Sequence, residues 1–312
     1  MSFNRFYAEI LSPWLRRSVL GEKLDMALVA FNANLQFAGF AYANSGGKIF
    51  SPDEIRELFA GLDETSIEIA ARFISRQYLC PPNSLMIHPK YFYTETEKDE
   101  YRRLLPDYLK TLRHYHFRKA EVGPESLYYH HGLRFAPEAV RKNIAGKIFA
   151  DVGGYMGDST LVFENYAPAK TVIFEPVPEC REKLTCTMKR NRVPAGRYDL
   201  QPFGLSDVSG SFDNMECRRL DDISGKYDCP FGVLKADIEG MGLRFLLGAK
   251  ETVLRDRPLL SLSIYHNEDE FTGIYRTLRE WDIDYHIEIK SFSPLASHGE
   301  VSLFAYPAEW LK

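Results

Sequence analysis

Short apolar runs alternate with helical patterns from about residue 147 to the end of the chain. Helical patterns fill four of the gaps, and this alternation predicts a parallel sheet with right-handed crossovers. The last two runs have no helix between them and predict an antiparallel hairpin at one edge. We therefore expect an α/β fold, a doubly wound seven-stranded sheet that is mostly parallel with an antiparallel edge strand. The predicted strands are KIFADV (147–152), KTVIFE (170–175), DLQPFGL (199–205), FGVLKAD (231–237), PLLSLSIY (258–265), DYHIEIKS (284–291) and EVSLFAY (300–306). The predicted helices are 159–167, 178–191, 242–255 and 269–281.

Residues 1–120 have a different pattern, which predicts a mainly helical region of unknown role. Ser51-Pro52-Asp53-Glu54 is typical of a helix start, because it joins a serine cap and a first-turn proline to acids near the positive end of the helix dipole. The segment from Thr94 to Arg113 predicts a second helix, with a kink or break at Pro106. We assign the remaining residues, 121–312, to one domain.

The composition is that of a globular protein, since 45% of the 312 residues are hydrophobic and 26% are charged. The net charge of −4 disfavours a protein that grips nucleic-acid phosphates. The most apolar stretch, 24–42, is interrupted by polar residues and is not expected to span a membrane. Within it, the pattern at 29–37 fits both a strand and a helix. The five cysteines include no CxxC pair and favour free thiols in a reducing compartment. The N-terminus shows no apolar leader, so the cytoplasm is the expected location. The sequence leaves the oligomeric state open.

The clearest chemical signal is DVGGYMGDST at 151–160, which ends the first predicted strand of the sheet and opens a helix. Its three glycines allow the backbone to turn tightly and to approach a ligand closely. The spacing D-x-G-G-x-x-G is not that of dinucleotide-binding loops, and Asp151 would repel a pyrophosphate but help to hold an ammonium group. The alternative is an ordinary strand-to-helix turn. The residues of this loop predicted to bind a cofactor are Asp151, Gly153, Gly154, Gly157, Asp158 and Ser159.

The second signal is Glu175, which ends the next predicted strand and precedes Pro176. An acid about 20 residues beyond a glycine loop, at a strand end, can accept hydrogen bonds from both ribose hydroxyls. The alternative is a solvent-exposed loop acid. The loop and Glu175-Pro176 together predict an adenosine-type ligand. S-adenosylmethionine fits better than a nicotinamide dinucleotide, because it has a ribose and an ammonium group and no phosphate.

The ordered motifs DVGGYMGDST, VIFEP, PFGLSDVSG, RRLDD and LKADIEG resemble the FkbM family of S-adenosylmethionine-dependent methyltransferases, over residues 125–306. The resemblance implies the class I methyltransferase fold, which is Rossmann-like, and O-methylation of secondary metabolites or glycans. It implies that the loop residues at 151, 153 and 157 hold the methionine end of the cofactor, that Glu175 holds the ribose, and that the turn at 204–207 lies on the adenine side. The residues predicted to bind cofactor in that turn are Leu205, Ser206 and Asp207. One departure follows KADIEG, where family members usually have a small residue and then Glu, and this chain has Met241 and Gly242.

Two residues at predicted strand ends are candidates for the chemistry. Asp237 ends the strand that faces the transferred methyl group in this fold, and it could accept a proton from an acceptor hydroxyl or orient the acceptor. His266 follows the next strand and is a candidate base near neutral pH. The alternatives are an Asp237 that only bonds loop backbone and a His266 that is a surface residue near a helix start, with Asn267 as the helix cap.

The segment Tyr128-Tyr129-His130-His131 precedes the first strand of the sheet, where it could line an acceptor pocket or only pack between regions. Its adjacent histidines do not have the spacing of metal ligands, and we predict no metal site. The sequence therefore predicts methyl transfer from S-adenosylmethionine to a hydroxyl of a small metabolite or glycan. The alternatives are a non-catalytic S-adenosylmethionine-binding module whose N-terminal half docks a partner, and a nucleotide-dependent oxidoreductase, which the loop spacing disfavours.

Overall fold

The computed structural model describes residues 41–79, 93–117, 122–212, 215–294 and 299–312. The ambiguous segment at 29–37 lies outside these residues, as does most of the apolar stretch at 24–42. Among the helices of the described part of the chain, none combines the length and the apolarity that a membrane span requires.

Ten strands are found in the described residues, and seven of them form one sheet. They are β1 (Ile148–Val152), β2 (Lys170–Phe174), β3 (Tyr198–Gln201), β4 (Gly204–Leu205), β5 (Gly210–Phe212), β6 (Met215–Arg218), β7 (Phe231–Ala236), β8 (Leu259–Ser263), β9 (Tyr285–Ser291) and β10 (Val301–Pro307). The strand order of the large sheet is β3-β2-β1-β7-β8-β10-β9. Strands β1, β2, β3, β7 and β8 pair in parallel.

The antiparallel strand of the sheet is β10, which lies between β8 and β9. It pairs antiparallel with both neighbours, in a register that sets Ser302 opposite Ser263 and Val301 opposite Ser291. The predicted fold class and the predicted hairpin of the last two strands are confirmed. The predicted strand 199–205 is wrong as one element, because it divides at Pro202 into β3 and β4, and β4 joins β5 and β6 in a separate small sheet.

Helices cover both faces of the large sheet. They are α1 (Ala41–Asn44), α2 (Pro52–Leu58), α3 (Glu64–Leu79), α4 (Glu95–His114), α5 (Pro124–Leu127), α6 (Glu138–Ile144), α7 (Asp158–Phe163), α8 (Pro178–Arg190), α9 (Leu220–Ser224), α10 (Gly242–Leu247), α11 (Lys250–Asp256) and α12 (Glu268–Glu280). Short 3-10 turns lie at His130–Phe135, Glu164–Tyr166, Ala195–Arg197 and Ala308–Leu311. Ser51 and Thr94 cap α2 and α4 in reciprocal capping boxes. Pro106 does not end α4, which continues to His114.

The helices of the predicted N-terminal region share a core with the sheet. Phe59 follows α2 and packs edge-on against Phe271 of α12, with ring centroids 5.2 Å apart. On the opposite face, Tyr108 of α4 belongs to the same buried cluster as Phe149 of β1 and Phe304 of β10. The sheet is therefore covered on both faces, and its carboxyl edge is where the loops can form a site.

Candidate active site

The carboxyl ends of the parallel strands bring the predicted site residues to one edge of the sheet. The ladder between β1 and β7 sets Asp151 opposite Lys235. Glu175 directly follows β2, Asp237 directly follows β7, and His266 lies in the loop after β8. Residues that are far apart in the sequence thus lie at the same edge of the sheet.

The glycine loop after β1 is packed so closely that its glycines are required. Gly153 has a φ of 84°, and a Cβ there would overlap the carbonyl oxygen of Asp237. Gly157 has a φ of 85°, and a Cβ there would lie 2.6 Å from the Met188 methyl group. A Cβ at Gly154 would overlap the side chain of Ile173. The loop therefore packs directly against the tip of β7 and against α8.

Asp151 lies beneath this loop and is fully buried. Its Oδ1 accepts from Lys235 Nζ at 3.1 Å and its Oδ2 accepts from Thr160 Oγ1 at 2.9 Å. Lys235 also donates to the Gly153 carbonyl at 2.9 Å, so that it ties the carboxylate to the loop. Burial opposes the charge on Lys235, but Asp151 and other nearby carboxylates raise the pKa of its ammonium group. The assignment of Asp151 to the methionine end of a cofactor stays a prediction.

Glu175 is held at the tip of β2 by backbone N–H groups. The N–H of Tyr155 donates to Oε2 at 2.9 Å and that of Val177 donates to Oε1 at 2.8 Å. Burial raises the pKa of the carboxyl, against the lowering effect of these two bonds. Arg181 donates to the carbonyls of Glu175 at 3.0 Å and Pro176 at 2.6 Å, which fixes the turn after the strand. Each carboxylate oxygen has further acceptor capacity, as two ribose hydroxyls would need.

The start of α7 contacts the segment that precedes β1. Ser159 Oγ lies 2.8 Å from His131 Nε2, and both residues are buried. Burial, together with Lys235, lowers the pKa of His131 to about 3, so this imidazole is neutral. Burial raises the pKa of the Asp158 carboxyl beside them. The His131 carbonyl accepts from Ser261 Oγ of β8 at 2.8 Å, which joins this segment to the sheet.

The turn at 204–207 is held against α10. Ser206 Oγ lies 2.9 Å from Asp207 Oδ1, which accepts from Arg244 Nε at 2.7 Å. Leu205 and Ser206 are buried. The side chains of Ser206 and Asp207 are thus engaged with each other and with Arg244, and their assignment to the adenine side stays a prediction.

Asp237 and His266, the two residues predicted to carry the chemistry, lie in contact. His266 Nε2 is 3.3 Å from Asp237 Oδ1. The Tyr265 hydroxyl lies 3.1 Å from Asp237 Oδ1 and 3.2 Å from Oδ2. The carboxylate thus meets two donors, while 25% of the Asp237 side chain stays exposed. Burial opposes ionisation, yet His266 and Lys235 hold the pKa of Asp237 far below its usual range.

Several charged residues of this edge were not predicted from the sequence. Lys235 lies inside an apolar strand, where a strand pattern alone gives no sign that it pairs with Asp151. Glu125 and Glu300 are half-buried near Asp237, and burial together with neighbouring carboxylates raises the pKa of Glu125 to about 7. Glu125 and Glu300 come from segments far from β7 in the sequence, so only the fold could reveal their proximity.

Comparisons with known proteins identify the domain. The family profile described as Methyltransferase FkbM domain matches residues 151–287. The crystal structure of the methyltransferase FkbM from Methylobacillus flagellatus KT is similar, with a TM-score of 0.58 and 18% identity over 81% of this chain and 58% of that one. An rRNA methylase from Streptococcus thermophilus has a TM-score of 0.41 and 13% identity over 58% of this chain and 95% of its own. No curated protein matches the chain significantly in sequence.

The matched range runs from Asp151 into β9 and includes Glu175, Asp237 and His266. The family resemblance and the fold class expected from the sequence are thereby confirmed. The likeness to the Methylobacillus structure supports the fold, and this chain spans 58% of that protein's length. Residues 151–287 therefore match a methyltransferase domain of the FkbM family, and S-adenosylmethionine is the cofactor that this match supports.

Proposed function

We propose that the chain transfers a methyl group from S-adenosylmethionine to a hydroxyl oxygen of a small metabolite or a glycan. The observation that carries this proposal is the partly exposed carboxylate of Asp237, which Tyr265 and His266 hold directly beside the glycine loop. A substrate hydroxyl that receives the methyl group can be oriented by donating a hydrogen bond to a carboxylate. Asp237 supplies that carboxylate at the end of β7, the strand next to β1.

The residues present fit this cofactor in two respects. Glu175 offers a carboxylate whose two oxygens each accept one backbone N–H and retain acceptor capacity for the ribose hydroxyls. The loop at 153–157 packs directly against the tip of β7, which places its backbone beside Asp237. We assign Glu175 and Pro176 to the ribose, the loop from Asp151 to Ser159 to the methionine end, and Leu205, Ser206 and Asp207 to the adenine side. When bound, the cofactor supplies an electrophilic methyl group on a sulfonium.

Asp237 is the residue that we assign to the acceptor hydroxyl. The hydroxyl donates to the free side of the carboxylate and is thereby aligned for in-line transfer. The hydroxyl proton becomes strongly acidic as the oxygen gains its new bond. A carboxylate with a low pKa is then a sufficient acceptor for that proton. His266 contacts a carboxylate through each ring nitrogen, and it therefore holds Asp237 instead of serving as the base.

The test is a methyl-transfer assay with isotope-labelled S-adenosylmethionine and a panel of hydroxylated acceptors. Asp237→Asn keeps the size of the side chain and removes the charge. We expect it to lower turnover by about 10²–10⁴-fold, the usual contribution of a positioned acid or base, with little change in cofactor affinity. Asp269→Asn, at an exposed first-turn position of α12, is the matched control.

Two outcomes would contradict the proposal. Wild-type turnover in Asp237→Asn would show that alignment by other groups carries the reaction. Tight binding of S-adenosylmethionine without methylation of any acceptor in the panel would favour a non-catalytic binding module.

A further inference from the structure

Glu270 is a buried carboxylate next to the proposed site that the function above does not use. Its exposure is 0%. Its Oε1 accepts from the N–H of Gly242 at 2.7 Å, and its Oε2 lies 2.8 Å from His266 Nδ1. A buried carboxylate is costly unless partners compensate it, and here both oxygens are engaged. The side chain therefore links the start of α12 to the loop after β7 and to the ring of His266.

His266 lies between two carboxylates, Glu270 at Nδ1 and Asp237 at Nε2. An imidazole can donate through both nitrogens only when it is protonated. Burial opposes this charge, but Asp237 and Glu270 raise the pKa of His266 to about 11. The other acidic groups that face the ring are Glu239, whose Oε2 is 3.8 Å from Nε2, and Glu300 ahead of β10. The imidazolium is thus the stable form at neutral pH.

The absence of a side chain at Gly242 leaves space for the Glu270 carboxylate. A Cβ at Gly242 would lie 2.8 Å from Glu270 Oε1, so a side chain at position 242 and the Glu270 carboxylate compete for the same space. In this chain a carboxylate reaches that space from α12, 28 residues along the chain.

We propose that Glu270 is a positioning residue, which fixes the His266 ring with its Nε2–H directed at Asp237 and so orients the Asp237 carboxylate toward the acceptor. The proposal rests on the function proposed above for Asp237. It assigns to Glu270 no contact with the cofactor or the acceptor. Its effect passes through His266, and its second bond holds the N–H of Gly242 at the start of α10.

Glu270→Gln tests this role, because glutamine keeps the shape and an acceptor for the Gly242 N–H but removes the charge next to Nδ1. We expect turnover to fall by about 10- to 100-fold, by analogy with the loss of residues that orient metal-bound histidines, while the affinity for S-adenosylmethionine stays the same. The remaining activity should decline as pH rises through the lowered pKa of His266, because the neutral ring can still donate one N–H to Asp237 but no longer carries the positive charge that strengthens this bond. Asp269→Asn, an exposed first-turn acid one residue away, is the control for the loss of one charge.

A direct readout is the titration of His266 by NMR of nitrogen-labelled imidazole. In the wild type the ring should stay doubly protonated from pH 6 to pH 9, and in Glu270→Gln it should titrate within that range. This measurement needs no acceptor, so it stands even if the proposed methyl transfer fails. A His266 that titrates alike in both proteins, or full turnover with an unchanged pH profile in Glu270→Gln, would overturn the proposal.

Discussion

Glu175→Gln is the sharpest test of how the domain holds its cofactor. The wild-type carboxylate is bound by the N–H groups of Tyr155 and Val177, one on each oxygen. Both oxygens can accept a ribose hydroxyl in addition. Glutamine has one acceptor oxygen, and its NH2 group would face one of these N–H donors and cannot accept a hydroxyl proton.

The magnitude follows from the bonds that change. A hydrogen bond to an ionised group contributes about 1.5–3 kcal/mol, roughly twice a neutral bond. Two ribose bonds to a neutral amide, or the loss of one of them, therefore weaken binding by about 1.5–3 kcal/mol. Since about 1.4 kcal/mol corresponds to a factor of ten, we expect the Kd for S-adenosylmethionine to rise about 10- to 100-fold.

Calorimetric titration with S-adenosylmethionine measures this change, with Glu179→Gln on the exposed start of α8 as the control. The ionised carboxylate is the form that accepts ribose hydroxyls, and burial raises the pKa of Glu175 in the free protein. The wild-type Kd should therefore rise as pH falls through that pKa, with proton release on binding, and the variant should lose this dependence. An unchanged Kd in a folded Glu175→Gln would show that Glu175 is a loop acid without a role in binding.

Two further predictions concern stability. S-adenosylmethionine at about 100 times its Kd should stabilise the fold by about 2.7 kcal/mol and raise Tm in a thermal melt. If Tm does not rise at millimolar S-adenosylmethionine but does rise with NAD, the cofactor assignment is refuted. Arg76 of α3 donates to Glu97 of α4 at 2.8 and 2.7 Å in a buried pair. Arg76→Ala should lower the free energy of unfolding by about 1.5–3 kcal/mol, since Glu97 loses its buried partner but keeps Arg72 at 3.5 Å and the donors of Thr94. Denaturant melts that show no loss would contradict this.

The elements of the large sheet could be predicted because their patterns are local. Strands such as β7, apolar on both faces, give continuous apolar runs that helices separate. The run at 199–205 was harder, since Pro202 divides it and the second half pairs with residues in another sheet. Pro106 has the opposite effect from Pro202. It usually would end a helix, but α4 continues through it to His114.

The position of the site was predictable, but the ionisation of its residues was not. Strand ends identify Asp237 and His266, because parallel strands finish at one edge. The imidazolium state of His266 depends on Glu270, which a sequence pattern places only in the first turn of a helix. The same limit applies to Asp151, whose partner Lys235 lies 84 residues along the chain. To predict which side chains pair across the sheet, the register of the strands must be known. Composition and periodicity do not give that register.

The start of α12 explains how an irregular loop can hold a reactive carboxylate in place. Glu239 and Gly240 have φ values of 51° and 97°, and a non-glycine residue in this region costs about 1–3 kcal/mol. Asn267 caps α12 through Oδ1 and donates to the Gly240 carbonyl at 2.9 Å through Nδ2. Glu270, in the same turn, accepts the Gly242 N–H. Because one helix start fixes the loop at two points, the backbone that follows Asp237 is held in its strained form, and the residues that begin α12 also set the direction of the carboxylate.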